Sequence, residues 1–257
     1  MTDDTRRFGW VRDLPDQRDH LFAAAPATLR QLPPKVNLVA QCPPIYDQGQ
    51  LGSCTANALA AAHEFAQMKE GLPNPFVPSR LFIYYNERVI EHSVPSDSGA
   101  RLRDGMWSIA HQGVCPEVEW PYMIGKFADR PPFAAVTDAL KYTALQYQHV
   151  SQNLNQMKGC LAEGYPFVLG FSVYQSFPMQ TTTGDIPLPT PGEPGPGGGP
   201  VEGHAVLAVG YDDTEQRFII RNSWGTTWGK LGYGSMPYLY LTRSDLASDF
   251  WTVRKVK

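Results

Sequence analysis

The hydrophobic pattern changes character twice along the chain. Residues 1–34 are polar, with the apolar positions Phe8, Trp10, Val11, Leu14, Leu21 and Phe22 set apart by charges and prolines. No helical or strand period joins them, so this stretch predicts an extended arm lying on another part of the protein. Pro33-Pro34 closes it. From Cys54 to Glu70 the pattern is helical: Ala56, Ala58, Ala60, Ala61, Ala62 and Ala66 are strong helix formers, and Leu59 and Phe65 add apolar bulk. Ser53 is a suitable N-cap and Gly71 a suitable stop. Small side chains line much of this helix, which predicts close packing and deep burial. Further helices are expected over Leu81–Val89, Arg101–His111 with Gly113 as stop, and about Leu154–Ala162 with Gly164 as stop.

Beyond residue 165 the pattern switches to strands. FVLGFSVY (167–174), HAVLAVGYD (204–212) and RFIIRNSW (217–224) are rich in Val, Ile and aromatics. The stretch 181–200 is crowded with Pro and Gly and belongs to neither helix nor sheet interior. It is no phosphate cradle, lacking a following Gly-Lys-Ser/Thr, and reads as a surface insertion. A helical first half and a strand-rich second half predict an α+β fold with two lobes.

Composition narrows the function classes. With 257 residues, 42% hydrophobic and 18% charged, the chain is ordinary globular material large enough for a substantial core. A net charge of −3 offers no basic footprint for nucleic acid. No apolar run reaches the roughly 20 residues that span a bilayer, and the N-terminus lacks the apolar stretch of a secretory signal. The compartment is therefore open: cytoplasmic, or exported by a non-standard route. Cys42, Cys54, Cys115 and Cys160 form no C-x-x-C pair, which argues against zinc and dithiol redox chemistry. No metal or cofactor is called for, and a monomer is expected.

One cysteine stands in a reactive setting. Cys54 follows Gln48-Gly49-Gln50-Leu51-Gly52-Ser53 and opens the alanine-rich helix, where the positive end of the helix dipole favours thiolate. Such a nucleophile needs a base, a group to orient the base, and donors for an oxyanion. His63 is nine residues on along the same helix, about 13 Å away, and cannot be the base. His204 opens the apolar strand Ala205-Val206-Leu207-Ala208-Val209, a rigid place from which to aim a ring. Asn222 ends a strand and can accept a hydrogen bond from an imidazole; Trp224 can shield that bond.

Together, Gln48-Gly49-x-Leu51-Gly52-Ser53-Cys54, Gly203-His204-Ala205-Val206 and Asn222-Ser223-Trp224-Gly225-x-x-Trp228-Gly229-x-x-Gly232-Tyr233 resemble the papain-like cysteine proteases, in that family's order. His204 and Asn222 lie 150 and 168 residues after Cys54, against about 130 and 150 in the family. The Pro/Gly stretch accounts for the excess. The resemblance covers about residues 35–257. It implies a papain-like catalytic domain with a helical lobe (about 45–130), a strand-rich, barrel-like lobe (about 140–257) and a cleft between them for an extended polypeptide.

The resemblance also implies roles. Cys54 would be the nucleophile, His204 its imidazolium partner and later the acid, and Asn222 the orienting group. Gln48 and the Cys54 backbone N–H would hold the oxyanion. Ser98-Gly99-Ala100 would pair with substrate backbone, and Gly203 and Trp224 would border the substrate. The implied activity is a cysteine endopeptidase working through a thioester. An acyltransferase or amidase with the same triad, or a catalytically silent binding protein, are the alternatives. The chain departs from the family in three ways. Leu51, and Asp97 or Ser98, stand where a disulfide pair is expected; Thr55 replaces the usual aromatic; and only the short arm 1–34 stands where a long prosegment is usual. Phe8, Trp10 and Leu14 of that arm could anchor in the cleft and block it; packing on the back of a lobe is the preferred expectation.

Overall fold

The computed structural model describes residues 6–257. Its elements follow the order β1 (Leu21–Phe22), α1 (Pro26–Arg30), β2 (Lys35–Asn37), α2 (Cys54–Lys69), α3 (Arg80–Ile90), α4 (Leu102–His111), α5 (Phe133–Ala139), β3 (Ala144–Val150), α6 (Leu154–Ala162), β4 (Phe167–Val173), β5 (Glu202–Asp212), β6 (Arg217–Arg221), β7 (Tyr233–Pro237), α7 (Tyr238–Thr242) and β8 (Ala247–Val256). The fold is α+β. The sheet runs β1-β3-β8-β4-β5-β6-β7, with β2 joining β5 where β4 has ended.

Helix α2 is the central element. Every residue from Cys54 to Gln67 is buried, because its alanines present no polar face and the helix must be covered all round. It packs against α3 and α4 on one side and against β5, β8 and β4 on the other. It stops where predicted: Gly71 takes a left-handed φ of 64°, and its N–H bonds the Met68 carbonyl. Ser53, expected as side-chain cap, does not act as one. Its hydroxyl is engaged instead by the Tyr122 hydroxyl at 2.5 Å and the Asn57 amide at 3.1 Å. On α3 the cap does form, with Ser79 Oγ accepting from Phe82 N.

Strand β5 carries the sheet's share of the site. Its residues 204–211 are buried, as befits a strand paired on both edges, by β4 and β6. Strand β6 ends at Arg221 rather than Trp224, because the Ser223 N–H turns onto the side-chain oxygen of Asn222 at 2.8 Å.

The arm is built into the molecule. Leu21-Phe22 pairs in parallel with His149-Val150 at the sheet edge. Further upstream, residues 7–11 run between the Gly99-Ala100 strip and Gly203, over the first turn of α2. The Gly9 carbonyl accepts from Ala100 N at 2.7 Å, Val11 N donates to the Ala100 carbonyl at 3.0 Å, and Trp10 N donates to the Gly203 carbonyl at 2.9 Å. The preferred expectation of an arm on the back of a lobe therefore gives way to one threaded through the site. Phe8 and Trp10 face inward, whereas Leu14, expected as a third anchor, is 69% exposed.

Candidate active site

The site assembles from three distant segments at the top of α2. His204 Nε2 lies 2.8 Å from Asn222 Oδ1. That same oxygen accepts the Ser223 N–H, so it is the carbonyl end of the amide and the histidine hydrogen sits on Nε2. Nδ1 is then the basic nitrogen, and it is buried without a hydrogen-bond partner. The ring is enclosed by aromatics: Trp224 at 5.0 Å, Phe171 at 5.6 Å, and the arm's Phe8 at 5.7 Å between centroids. Trp224, expected to shield the His204–Asn222 bond, is fully buried over it.

Cys54 lies beneath the arm, fully buried. The backbone N–H groups of Ala205, Gly9 and Thr55 lie near its sulfur and favour its anion. Burial nevertheless pushes the thiol up to about 12, and burial also pulls His204 down to about 4, against the raising effect of its bond to Asn222. The expectation of a thiolate at the helix end is thus not met with the arm in place. Without solvent, the charges of a thiolate–imidazolium pair cost more than the helix dipole returns.

Gln48 is held at both ends. Its Oε1 accepts from Ser223 Oγ at 2.7 Å, and its Nε2 donates to the Leu51 carbonyl at 2.9 Å and to the arm's Arg7 carbonyl at 3.1 Å. Gly99 and Ala100 line the arm's path, and a Cβ on Gly99 would stand 2.2 Å from the Gly9 carbonyl oxygen. Gly203 lines the other side. Ser98 is not part of that path: its hydroxyl turns to the Gly99 carbonyl.

Three contributors escaped sequence reasoning. Ser223 orients Gln48. Asp97 takes the Gly52 N–H at 3.0 Å and the Tyr84 hydroxyl at 2.6 Å, so a polar tie joins the cysteine loop to the Gly99 strip where the family's disulfide is absent. All four cysteines are free thiols. The position of the absent half-cystine was the available clue. Asp249, whose left-handed φ of 61° puts its carboxylate against Trp10 Nε1 at 3.0 Å, left no such trace. Among the described residues no His/Cys/Asp/Glu group could hold a metal ion, and no helix is long and apolar enough to cross a membrane.

A thiol, an amide-braced imidazole and an amide donor at one helix end define a cysteine protease, and residues 32–241 match the profile of the papain family cysteine proteases. The chain belongs to that family and is a cysteine-type peptidase. It is similar to xylellain, a cysteine protease from Xylella fastidiosa, at 43% identity and a TM-score of 0.90 over 99% of this chain and 98% of that one. An uncharacterized peptidase C1-like protein of Acanthamoeba polyphaga mimivirus is 39% identical over 98% of this chain and 88% of its own length. A cathepsin B-like protein of Giardia intestinalis is 30% identical over 74% of this chain and 63% of its own.

Proposed function

We propose that the protein is an endopeptidase that cleaves extended polypeptides through a thioester, and that its own arm holds it inactive. With the arm displaced, solvent reaches the site and His204 Nδ1 takes the Cys54 proton. The thiolate then attacks a peptide carbonyl carbon. The resulting oxyanion is met by Gln48 Nε2 and the Cys54 backbone N–H. The imidazolium returns its proton to the leaving amine as the C–N bond breaks, leaving a thioester. Water, deprotonated by His204, hydrolyses the thioester and restores the thiol. Asn222 keeps the ring aimed throughout.

The observation that carries the reading is the Asn222–His204 bond, which leaves Nδ1 as the free base. Inhibition by the arm is supported by the way it meets the sulfur. Cys54 faces the Gly9 N–H, a donor with nothing to attack. The carbonyl that reaches Gln48 belongs to Arg7, two residues away. The parallel pairing of Trp10 with Ala100 keeps the arm in that setting.

An epoxide that alkylates thiolates tests both parts. Labelling should map to Cys54, should be lost in His204→Ala, and should quicken when residues 6–11 are displaced. Digestion of a protein substrate, with internal cleavage products read by mass spectrometry, separates endopeptidase from transfer to an added amine. Unlabelled Cys54 with no cleavage would overturn the reading.

A further inference from the structure

We infer that Arg80, clamped by Glu117, is a positioning residue for the oxyanion site: it closes a ring of hydrogen bonds that fixes the Gln48 amide and the Cys54 backbone N–H relative to each other. This rests on the mechanism proposed above.

The ring runs in one direction. Arg80 Nη1 donates to Asn57 Oδ1 at 3.2 Å, and Asn57 Nδ2 donates to Ser53 Oγ at 3.1 Å. The Tyr122 hydroxyl donates to the Gln48 carbonyl at 2.9 Å. Its single hydrogen is thereby spent, so in the 2.5 Å contact between the two hydroxyls it is Ser53 that donates. Arg80 Nη1 closes the ring on the Asp47 carbonyl at 3.1 Å, next to Gln48 in the chain. Gln48, Ser53, Asn57 and Arg80 are all buried. In such surroundings a fully satisfied run of aligned bonds stiffens the structure and specifies one arrangement. The ring also explains why Ser53 is no helix cap, since its hydroxyl is one of the links.

Both oxyanion donors hang on this ring. Gln48 is held at its own carbonyl by Tyr122. The Cys54 N–H shares a peptide plane with the Ser53 carbonyl. That carbonyl accepts from Asn57 N at 3.0 Å and from Asn57 Nδ2 at 2.9 Å, so Asn57 sets the direction in which the Cys54 N–H points. Arg80 orients Asn57 in turn. Its guanidinium is itself fixed from outside the ring. Glu117 takes Nε at 2.8 Å and Nη2 at 2.7 Å, and the Tyr122 and Tyr46 rings lie 4.1 and 4.9 Å from its central carbon. Burying a guanidinium is costly. What it supplies here is a planar fork that holds a carboxylate, a carbonyl and an amide oxygen at fixed angles, which the point charge of a lysine does not.

The test uses the full chain as wild type, Arg80→Lys and Tyr122→Phe. Two rates are measured on each: kcat/KM for a fluorogenic peptide, and modification of Cys54 by methyl methanethiosulfonate, mapped by peptide mass. The reagent has no carbonyl, so only peptide hydrolysis passes through an oxyanion. Arm displacement and thiol ionisation enter both rates and cancel in their ratio, hydrolysis over modification. That ratio should fall by about tenfold or more in each variant, part of what losing a whole donor costs. In a Gln48→Ala background, where the donor is already gone, Tyr122→Phe should lower it by less than about threefold. A residue that served the fold alone would leave the ratio level. Should Arg80→Lys not fold, Glu117→Gln, which loosens the clamp at its more exposed end, takes its place. A level ratio in the Arg80 or Glu117 variant or in Tyr122→Phe, or an undiminished fall in the Gln48→Ala background, overturns the inference and leaves the peptidase reading intact. If the wild type hydrolyses no peptide, the proposed mechanism fails, and the ring is judged by crystal structures. The distance from Gln48 Nε2 to Cys54 N should then change by more than about 0.5 Å in Arg80→Lys or Glu117→Gln. An unchanged distance overturns the inference.

Discussion

Docking of the arm should weaken as pH rises, and the cause is one carboxyl. Asp13 is buried beside Asp249, with Oδ1 accepting from Arg103 N at 3.2 Å and Oδ2 from Trp251 Nε1 at 3.1 Å. Burial, and then the Asp249 charge, push Asp13 from 3.8 up to about 7. The other groups around it are Arg103, Asp19 paired to Arg103, Asp16 paired to Arg18, His149 edge-on to Trp251, and Arg12 bonded to Ser248. An acid whose pKa is raised on docking binds its proton more tightly docked than free. Docking is therefore tightest below 3.8, loosens about tenfold per pH unit above that, and levels off near 7. The ceiling is about a thousandfold, or ~4 kcal/mol. The assay is the rate of Cys54 alkylation in the full chain, mapped by peptide mass, for wild type and Asp13→Asn between pH 4 and 8. Thiol titration in the open form cancels in the ratio of the two rates. Asn cannot ionise, so the wild-type-to-variant ratio should climb with pH and flatten near 7. Its constant offset reports the altered hydrogen bonds to Trp251 and Arg103; its slope reports the carboxyl. A ratio that stays level across the range would refute the reasoning.

Three further outcomes follow from the same contacts. Gly9→Ala sets a Cβ 1.8 Å from the Gly52 carbonyl oxygen, so the arm must lift, and full-length Gly9→Ala should be alkylated at Cys54 faster than wild type. Gln48→Ala removes an oxyanion donor and should lower kcat by about 10² to 10³, with KM changed far less, in steady-state peptide hydrolysis. Phe167→Ala empties a fully buried position that packs on Phe218 and Phe250 and should destabilise the fold by about 3–5 kcal/mol, read by denaturant unfolding.

What could be read in advance, and what could not, divides along a physical line. Helix α2 was legible because alanine propensity, burial and a glycine stop all agree over residues 54–71. Strands β4 and β5 were legible because strands buried on both faces are written as near-continuous apolar runs. Cys54, His204, Asn222 and Gln48 could be singled out because each stands beside glycines or apolar runs that fix its backbone. Strand β8 was missed because Asp249 turns to positive φ inside it and breaks the period by which strands are recognised. Strand β3 was missed because its middle is polar and half exposed. The arm's resting place was misjudged for a different reason. Its segment has no period of its own, and its conformation is set wholly by partners up to 239 residues away, as in the Trp10–Asp249 bond. No local pattern encodes such a contact. The pairing of two acids, Asp13 and Asp249, is likewise invisible until the fold brings them together. Yet that pair gives the arm a docking strength that can vary with pH, whereas an apolar anchor alone would hold it equally at every pH.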